Sequence, residues 1–205
     1  MKKTIILASA LFIFLGTTKA QDVHFGIKGG LNASNINVKN SLGNNQDTKI
    51  GWYAGLLAHI HAGKSFAIQP EVYYSDEGSK LTSGSNKSTL NLGYINVPVL
   101  AQYMFGNGFR IEAGPQVGFL INAKDKDKSS SLNLDVKDTY KSTSFSIPVG
   151  VGYLTSYGLG FDARYNFGIS DIQKVTIGDN KARSNVFQFG LFYQFPERKV
   201  TTTKK

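Results

Sequence analysis

Cysteine is absent from this chain, so neither a disulfide nor a thiolate metal site can hold it together. Long apolar runs are missing too. The stretch from Ile5 to Leu15 falls well short of the roughly 20 residues that a membrane-spanning helix needs. After residue 20 no sustained 3.6-residue period marks an amphipathic helix. Basic residues are in excess, with a formal charge of +9, but they are not grouped as nucleic acid would require. Lys2, Lys3 and Lys19 lie in the N-terminal segment, and the last ten residues, PERKVTTTKK, carry a net +3. About +3 remains over residues 21–195, with no basic helix or Lys/Arg stripe, so no nucleic-acid partner is expected.

What is present begins with MKKTIILASALFIFLGTTKA: two lysines, a short apolar stretch, then small residues ending Thr18-Lys19-Ala20. This order is the build of a secretory signal peptide cleaved after Ala20. The expected organisation is a signal peptide over 1–20, one domain over 21–195 and a basic C-terminal tail over 196–205.

The stretch LGFDARYNFG, residues 159–168, shows the dominant pattern. Leu159, Phe161, Ala163, Tyr165 and Phe167 alternate with Gly160, Asp162, Arg164, Asn166 and Gly168. A period of two sends the sets to opposite faces of a strand. Seven other stretches alternate in the same way, near 22–33, 51–60, 66–75, 93–103, 109–121, 144–154 and 186–195. Three connections are brief (HAGKS, FGNG and TSYG), and those at 34–49, 76–88, 122–143 and 169–184 are long and polar. Strict short–long alternation belongs to an antiparallel meander whose two ends face different environments. Outer-membrane barrels have that form, with short periplasmic turns and longer outer loops.

The faces decide between a soluble sheet and an inserted one. A soluble β-sandwich or lipid carrier would set many Lys and Glu against water. Here the polar face is dominated by Gly, Ser, Gln and Asn with a few charges, and the apolar face is rich in Phe, Tyr and Trp and carries no charge. The expected fold is all-β: an eight-stranded antiparallel up-and-down transmembrane β-barrel with its apolar face on lipid. A bacterial outer-membrane location follows.

Inward parity collects Lys28, Arg110 and Arg164 with Glu71, Glu112 and Asp162, three charges of each sign near the periplasmic end. Buried charges need partners, and an eight-stranded lumen is narrow enough to be filled by side chains. These six are expected to form a closing charge network rather than a selectivity lining. His59 and His61 share the inward face, and a register pairing residue 33 with 50 sets His24 opposite His59. Three imidazoles at one rim could hold zinc, but no fourth ligand is apparent, and neither metal nor cofactor is expected. The outer loops contain no histidine, so no catalytic group stands at the outer rim and no enzymatic activity is expected. Asp76, Glu77, Asp125 and Asp127 are expected to be solvated loop residues. Pro70, Pro98, Pro115 and Pro148 fall within expected strands of an edgeless wall, where bulges are the expected remedy.

The stretches FGIKGGLNAS, IQPEVYYSDEGSK, YINVPVLAQY, EAGPQVGFL and FDARYNFGISDI, in that order over almost all of 21–195, resemble the outer-membrane β-barrel domain common in Bacteroidota, the PorT-like or "porin family" group. The resemblance implies a barrel like the small OmpA and OmpX barrels, inserted by the outer-membrane assembly machinery. It supplies no catalytic residues, and it implies that prolines in the strands are tolerated. Phe195 stands where a terminal aromatic serves as the assembly signal, and the tail after it departs from the family pattern. The expected function is non-enzymatic, with outer-membrane lipid as the immediate partner and surface loops, especially 122–143, contacting a ligand or envelope protein. The alternatives are a component of a secretion or assembly machine using the tail, or a soluble periplasmic sandwich.

Overall fold

A computed structural model describes residues 23–38, 45–83, 86–127, 133–174 and 181–196. The expected signal peptide and all of the tail but Pro196 lie outside these residues. The strands are β1 (Val23–Val38), β2 (Asn45–His61), β3 (Phe66–Ser83), β4 (Asn86–Met104), β5 (Phe109–Ala113), β6 (Gln116–Asp127), β7 (Asn133–Asp135), β8 (Thr143–Leu154), β9 (Leu159–Gly168) and β10 (Ala182–Gln194). Each pairs antiparallel with its neighbours, and β1 pairs with β10 from Gly26–Gln194 to Val38–Ala182, which closes the ring. The strands β5 and β6 are two halves of one wall element, both held between β4 and β8. With β7 a short hairpin arm on β6, the wall has the eight members expected.

Closure answers the question of faces. Side chains of alternate residues point out of the ring, and there Phe25 is 64% exposed, Leu31 60% and Leu191 57%. Their inward neighbours Lys28, Asn32 and Gln188 are buried. A soluble protein does not leave such a continuous apolar surface to water. Aromatic pairs mark the rims of this belt. At the periplasmic ends of the strands Phe66 packs on Tyr103 and Tyr103 on Phe105, and towards the outer ends Trp52 packs on Tyr74 and Tyr165 on Phe167. Ten residues at about 3.3 Å each, tilted by about 40°, span about 25 Å, the height of an outer-membrane apolar band.

Two of the three short turns are built alike. In FGNG and TSYG the last glycine has a positive φ, 92° at Gly108 and 84° at Gly158, and its N–H donates to the carbonyl three residues back. Only glycine adopts this conformation without strain. A different constraint acts at Gly160, whose missing side chain leaves the space filled by the ring of Phe192 on the neighbouring strand. Gly160→Ala is expected to destabilise the barrel by about 1–3 kcal/mol through overpacking, read as a lower urea midpoint in detergent micelles.

Two expectations are corrected. The prolines sit without bulges: the β4 register is the same on β5 as on β6, although pairing lapses around Gly114 and Pro115. Pro148 faces that gap on β8, and pairing of β2 with β3 lapses beside Pro70. A missing N–H removes one ladder bond on one side and needs no inserted residue. Their carbonyls still accept, from Val99 N to Pro115 and from Gly114 N to Pro148. Register shifts occur elsewhere, between Thr48 and Tyr53 on β2 and between Gly93 and Tyr94 on β4, near the outer rim of the apolar band.

The second correction concerns the long connections. The segments 34–49 and 76–88 are largely strand, and 122–143 begins as strand, because β1 to β4 run for 16–19 residues and β6 continues to Asp127. Asp76 and Glu77 are wall residues with partners rather than solvated ones. The Asp125 carboxyl is half-buried on β6, and the side chain of Asp127 lies outside the described residues. Segments 133–142 and 169–174 fold over the outer mouth as a lid. Lys141 N donates to Ile172 O and Lys174 N to Thr139 O, and Ile172 N donates to Ala182 O. Under the lid, Ile36, Leu92, Tyr94, Leu120, Ala123, Ile172 and Ala182 form an apolar cluster in contact with Val136 and Tyr140. Above the membrane the ring therefore behaves like a small water-soluble barrel, greasy inside.

Candidate functional site: the lumen and its two mouths

The six inward charges lie on four wall strands: Lys28 on β1, Glu71 on β3, Arg110 and Glu112 on β5, and Asp162 and Arg164 on β9. Five of them interlock. Lys28 Nζ lies 3.1 Å from Glu71 Oε2 and 3.1 Å from Asp162 Oδ2. The Arg164 guanidinium reaches Glu71 at 2.9 Å, Glu112 at 2.7 Å and Asp162 at 3.1 Å. Two cations thus serve three carboxylates, and Arg164 is only 1% exposed. Neutral groups complete the coordination. Tyr53 Oη donates to Asp162, Gln69 Nε2 to Glu71 and Gln102 Nε2 to Glu112. The Lys28 ammonium also lies 5.5 and 5.7 Å from the ring centres of Tyr53 and Tyr73, within cation–π range.

Arg110 stands apart from this knot. Among the described residues it makes no ion pair within 4 Å, and its Nε and Nη1 have no hydrogen-bond partner although the residue is buried. Its guanidinium carbon lies 5.6 Å from the Phe192 ring centre.

Toward the outer side an amide layer follows. Gln188 Nε2 donates to Asn32 Oδ1, Asn32 Nδ2 to Ser75 Oγ, and Tyr73 Oη to Gln116 Oε1. Next, Glu77 accepts from Asn96 Nδ2 and Ser184 Oγ, while Lys49 pairs with Asp76 at 2.6 Å and donates to the Glu77 carbonyl. The apolar cluster and lid complete the stack. Within the lid, burial and the nearby Asp125 raise the pKa of Tyr140, so its phenol stays protonated. Among the described residues, ion knot, amide layer, carboxylate layer and apolar lid stack through the lumen from one mouth to the other. No role for Tyr53, Tyr73, Gln69 or Lys49 was legible from the residues alone. Tyr53, Tyr73 and Gln69 share the inward parity of the charges, which is the signal that could have found them, whereas Lys49 lay in a segment read as loop.

At the periplasmic mouth the three histidines meet, with ring centres 4.7 Å apart for His59–His61, 5.5 Å for His24–His61 and 6.5 Å for His24–His59. The register does this: Ala33 pairs with Ile50 and His24 with His59. Among the described residues no group of three or more His, Cys, Asp or Glu is arranged to hold a metal ion. The rings line a cavity of about 400 Å³ with Arg110 and Gln194. Phe195 directly follows β10 on the lipid side, its N–H donating to Phe25 O and its ring against Tyr193.

Comparison with known proteins agrees with this architecture. Residues 19–174 match the family model described as outer membrane protein beta-barrel domain. No curated protein sequence matches the chain. Neisserial surface protein A is similar in structure at 12% identity and TM-score 0.53, over 83% of this chain and 97% of that one. Ail, the attachment invasion locus protein of Yersinia pestis, solved in complex with the heparin analogue sucrose octasulfate, is similar at 14% identity and TM-score 0.51, over 85% of this chain and 99% of that one. At such identities the likeness is one of fold.

Proposed function

The chain belongs to the outer-membrane protein β-barrel domain family and lies in the bacterial outer membrane, and on that footing we propose that it is a closed, non-enzymatic barrel acting through its outer surface, in ligand or partner binding or in envelope integrity. The observation that carries this reading is the filled lumen: an interlocked ion knot beneath an amide layer and a lid. A barrel that conducts needs water-filled space, and this one spends its interior on side-chain contacts. What remains for function is the lipid-facing belt, with outer-membrane lipid as its partner, and the outer ends of the strands with their lid. Phe195 is proposed as the residue that the outer-membrane assembly machinery reads, after a signal peptide over 1–20 has directed export. The matching stretches quoted above favour the PorT-like Bacteroidota group within the family.

Two measurements test the reading. In planar bilayers the wild-type barrel is expected to give no resolved open-channel steps, and regular steps would overturn closure. A strain lacking the protein is expected to gain sensitivity to SDS that wild type reverses. Ile172→Asp places a charge in the apolar cluster, where Ile172 is 1% exposed, and should unlatch the lid while the barrel stays heat-modifiable. Full rescue by that variant would remove the lid from the function.

A further inference from the structure

The periplasmic mouth holds a second feature that closure does not use. Its cavity of about 400 Å³ is lined by His24, His59, His61, Arg110, Thr155 and Gln194 beside apolar residues such as Met104 and Leu154, and among the described residues no carboxylate lines it. Arg110 is 4% exposed and Gln194 6%, so both are built into the wall rather than waving from it. Arg110 Nε and Nη1 and Gln194 Nε2 are buried donors with no partner among the described residues. A buried N–H left unsatisfied costs about 1–3 kcal/mol, and the Arg110 guanidinium beside the cavity also carries a charge with no ion pair among the described residues, so it is the group that an acceptor in the cavity would serve.

The charge balance selects the acceptor. Glu112 and Asp162 act on Arg110 only at longer range, because Arg164 and Lys28 already hold them in the ion knot. A metal cation would have to sit beside that guanidinium, with no carboxylate in the lining to offset it. An anion would meet the guanidinium, the Gln194 side chain and the imidazoles of His24 and His61, whereas the Thr155 hydroxyl already donates to Leu159 O and His59 Nδ1 is taken by Gln69 Oε1. Side chains on β1, β2, β5 and β10 converge from different directions, which suits a tetrahedral oxyanion with several oxygens better than a planar carboxylate.

We propose that this vestibule is a phosphate-binding site, with Arg110 as its principal ligand and Gln194, His24 and His61 completing it. The phosphate group has two sources with the same chemistry: free phosphate in the periplasm, or the headgroup of an inner-leaflet phospholipid beside the barrel mouth.

The test uses the full barrel purified from outer membranes in a maltoside detergent and phosphate-free buffer. Isothermal titration with inorganic phosphate is run on wild type, Arg110→Gln and Gln194→Leu. Native mass spectrometry of the same preparations before delipidation reads retained phospholipid. One phosphate per wild-type chain, bound at least tenfold more weakly by both variants, assigns the site to free phosphate. One phospholipid retained per wild-type chain and lost from Arg110→Gln, without phosphate binding, assigns it to the headgroup. Wild type binding neither, or both variants binding as well as wild type, overturns the proposal. Zinc binding that requires the histidines, with no phosphate binding, overturns it in favour of a metal. Heat-modifiability confirms that each variant is folded, and Gln194→Leu keeps the test decisive if Arg110→Gln does not assemble.

Discussion

Leu191→Arg is expected to destabilise the membrane-inserted barrel by about 2–4 kcal/mol, the cost of a cation on the lipid face near mid-bilayer. Leu191 is the central residue of the outward apolar series from Phe187 to Phe195, 57% exposed, between Phe189 and Tyr193 on the same face. In water an exposed leucine replaced by arginine changes stability by about 0.5 kcal/mol or less. The size of the effect therefore reports which solvent the outer face meets. Equilibrium unfolding by guanidinium in lipid vesicles measures it, and a change under 0.5 kcal/mol would show that the apolar face does not lie on hydrocarbon. The same arginine at Arg183, an exposed position at the outer end of β10, already occurs naturally, as expected beyond the apolar band.

Arg164→Met is expected to cost about 3–5 kcal/mol, the penalty for breaking a buried ion pair and leaving its partner charged. Arg164 is bonded to three carboxylates, and without it Lys28 alone faces Glu71 and Asp162 while Glu112 loses its ion pair. Adding Glu71→Gln to that variant removes one uncompensated charge and should recover part of the loss, a coupling that a double-mutant cycle reads directly. Arg110 supplies the control. With no ion pair among the described residues, Arg110→Gln should change stability by about 1 kcal/mol or less, even though composition places both arginines in the same lumen. Equal losses from Arg164→Met and Arg110→Gln would show that the knot is not organised around Arg164.

Much of the barrel was legible in the residues because β-structure writes its faces locally. The alternation in LGFDARYNFG alone fixes which of its side chains look inward, and it places Asp162 and Arg164 together on that face. The same parity, carried through FAIQPEVYYS, turns Glu71 inward beside Gln69 and Tyr73. Turn chemistry is equally local: glycine ends FGNG and TSYG because each turn needs a positive φ there. The outer extensions were harder to read. NASNINV and SDEGSK mix polar residues on both faces, as a strand does once it leaves lipid and needs no greasy outer surface. Their ladders are held by backbone bonds that leave no mark in the sequence.

By itself, then, the sequence determined an all-β chain with eight alternating segments, the inward and outward sets, and the meeting of His24 with His59 across one hairpin. All of these depend on period two and on nearest-neighbour register. Only the tertiary structure decided which charge meets which. Glu71 on β3 receives Lys28 from β1 and Arg164 from β9, strands that do not pair with β3, while Arg110 is left facing the mouth. Those meetings run across the lumen, where strand tilt and the stagger of ring closure set the height of each side chain. The lid, too, was decided there, because Ile172 finds Leu92 and Leu120 only once the ring has closed beneath it.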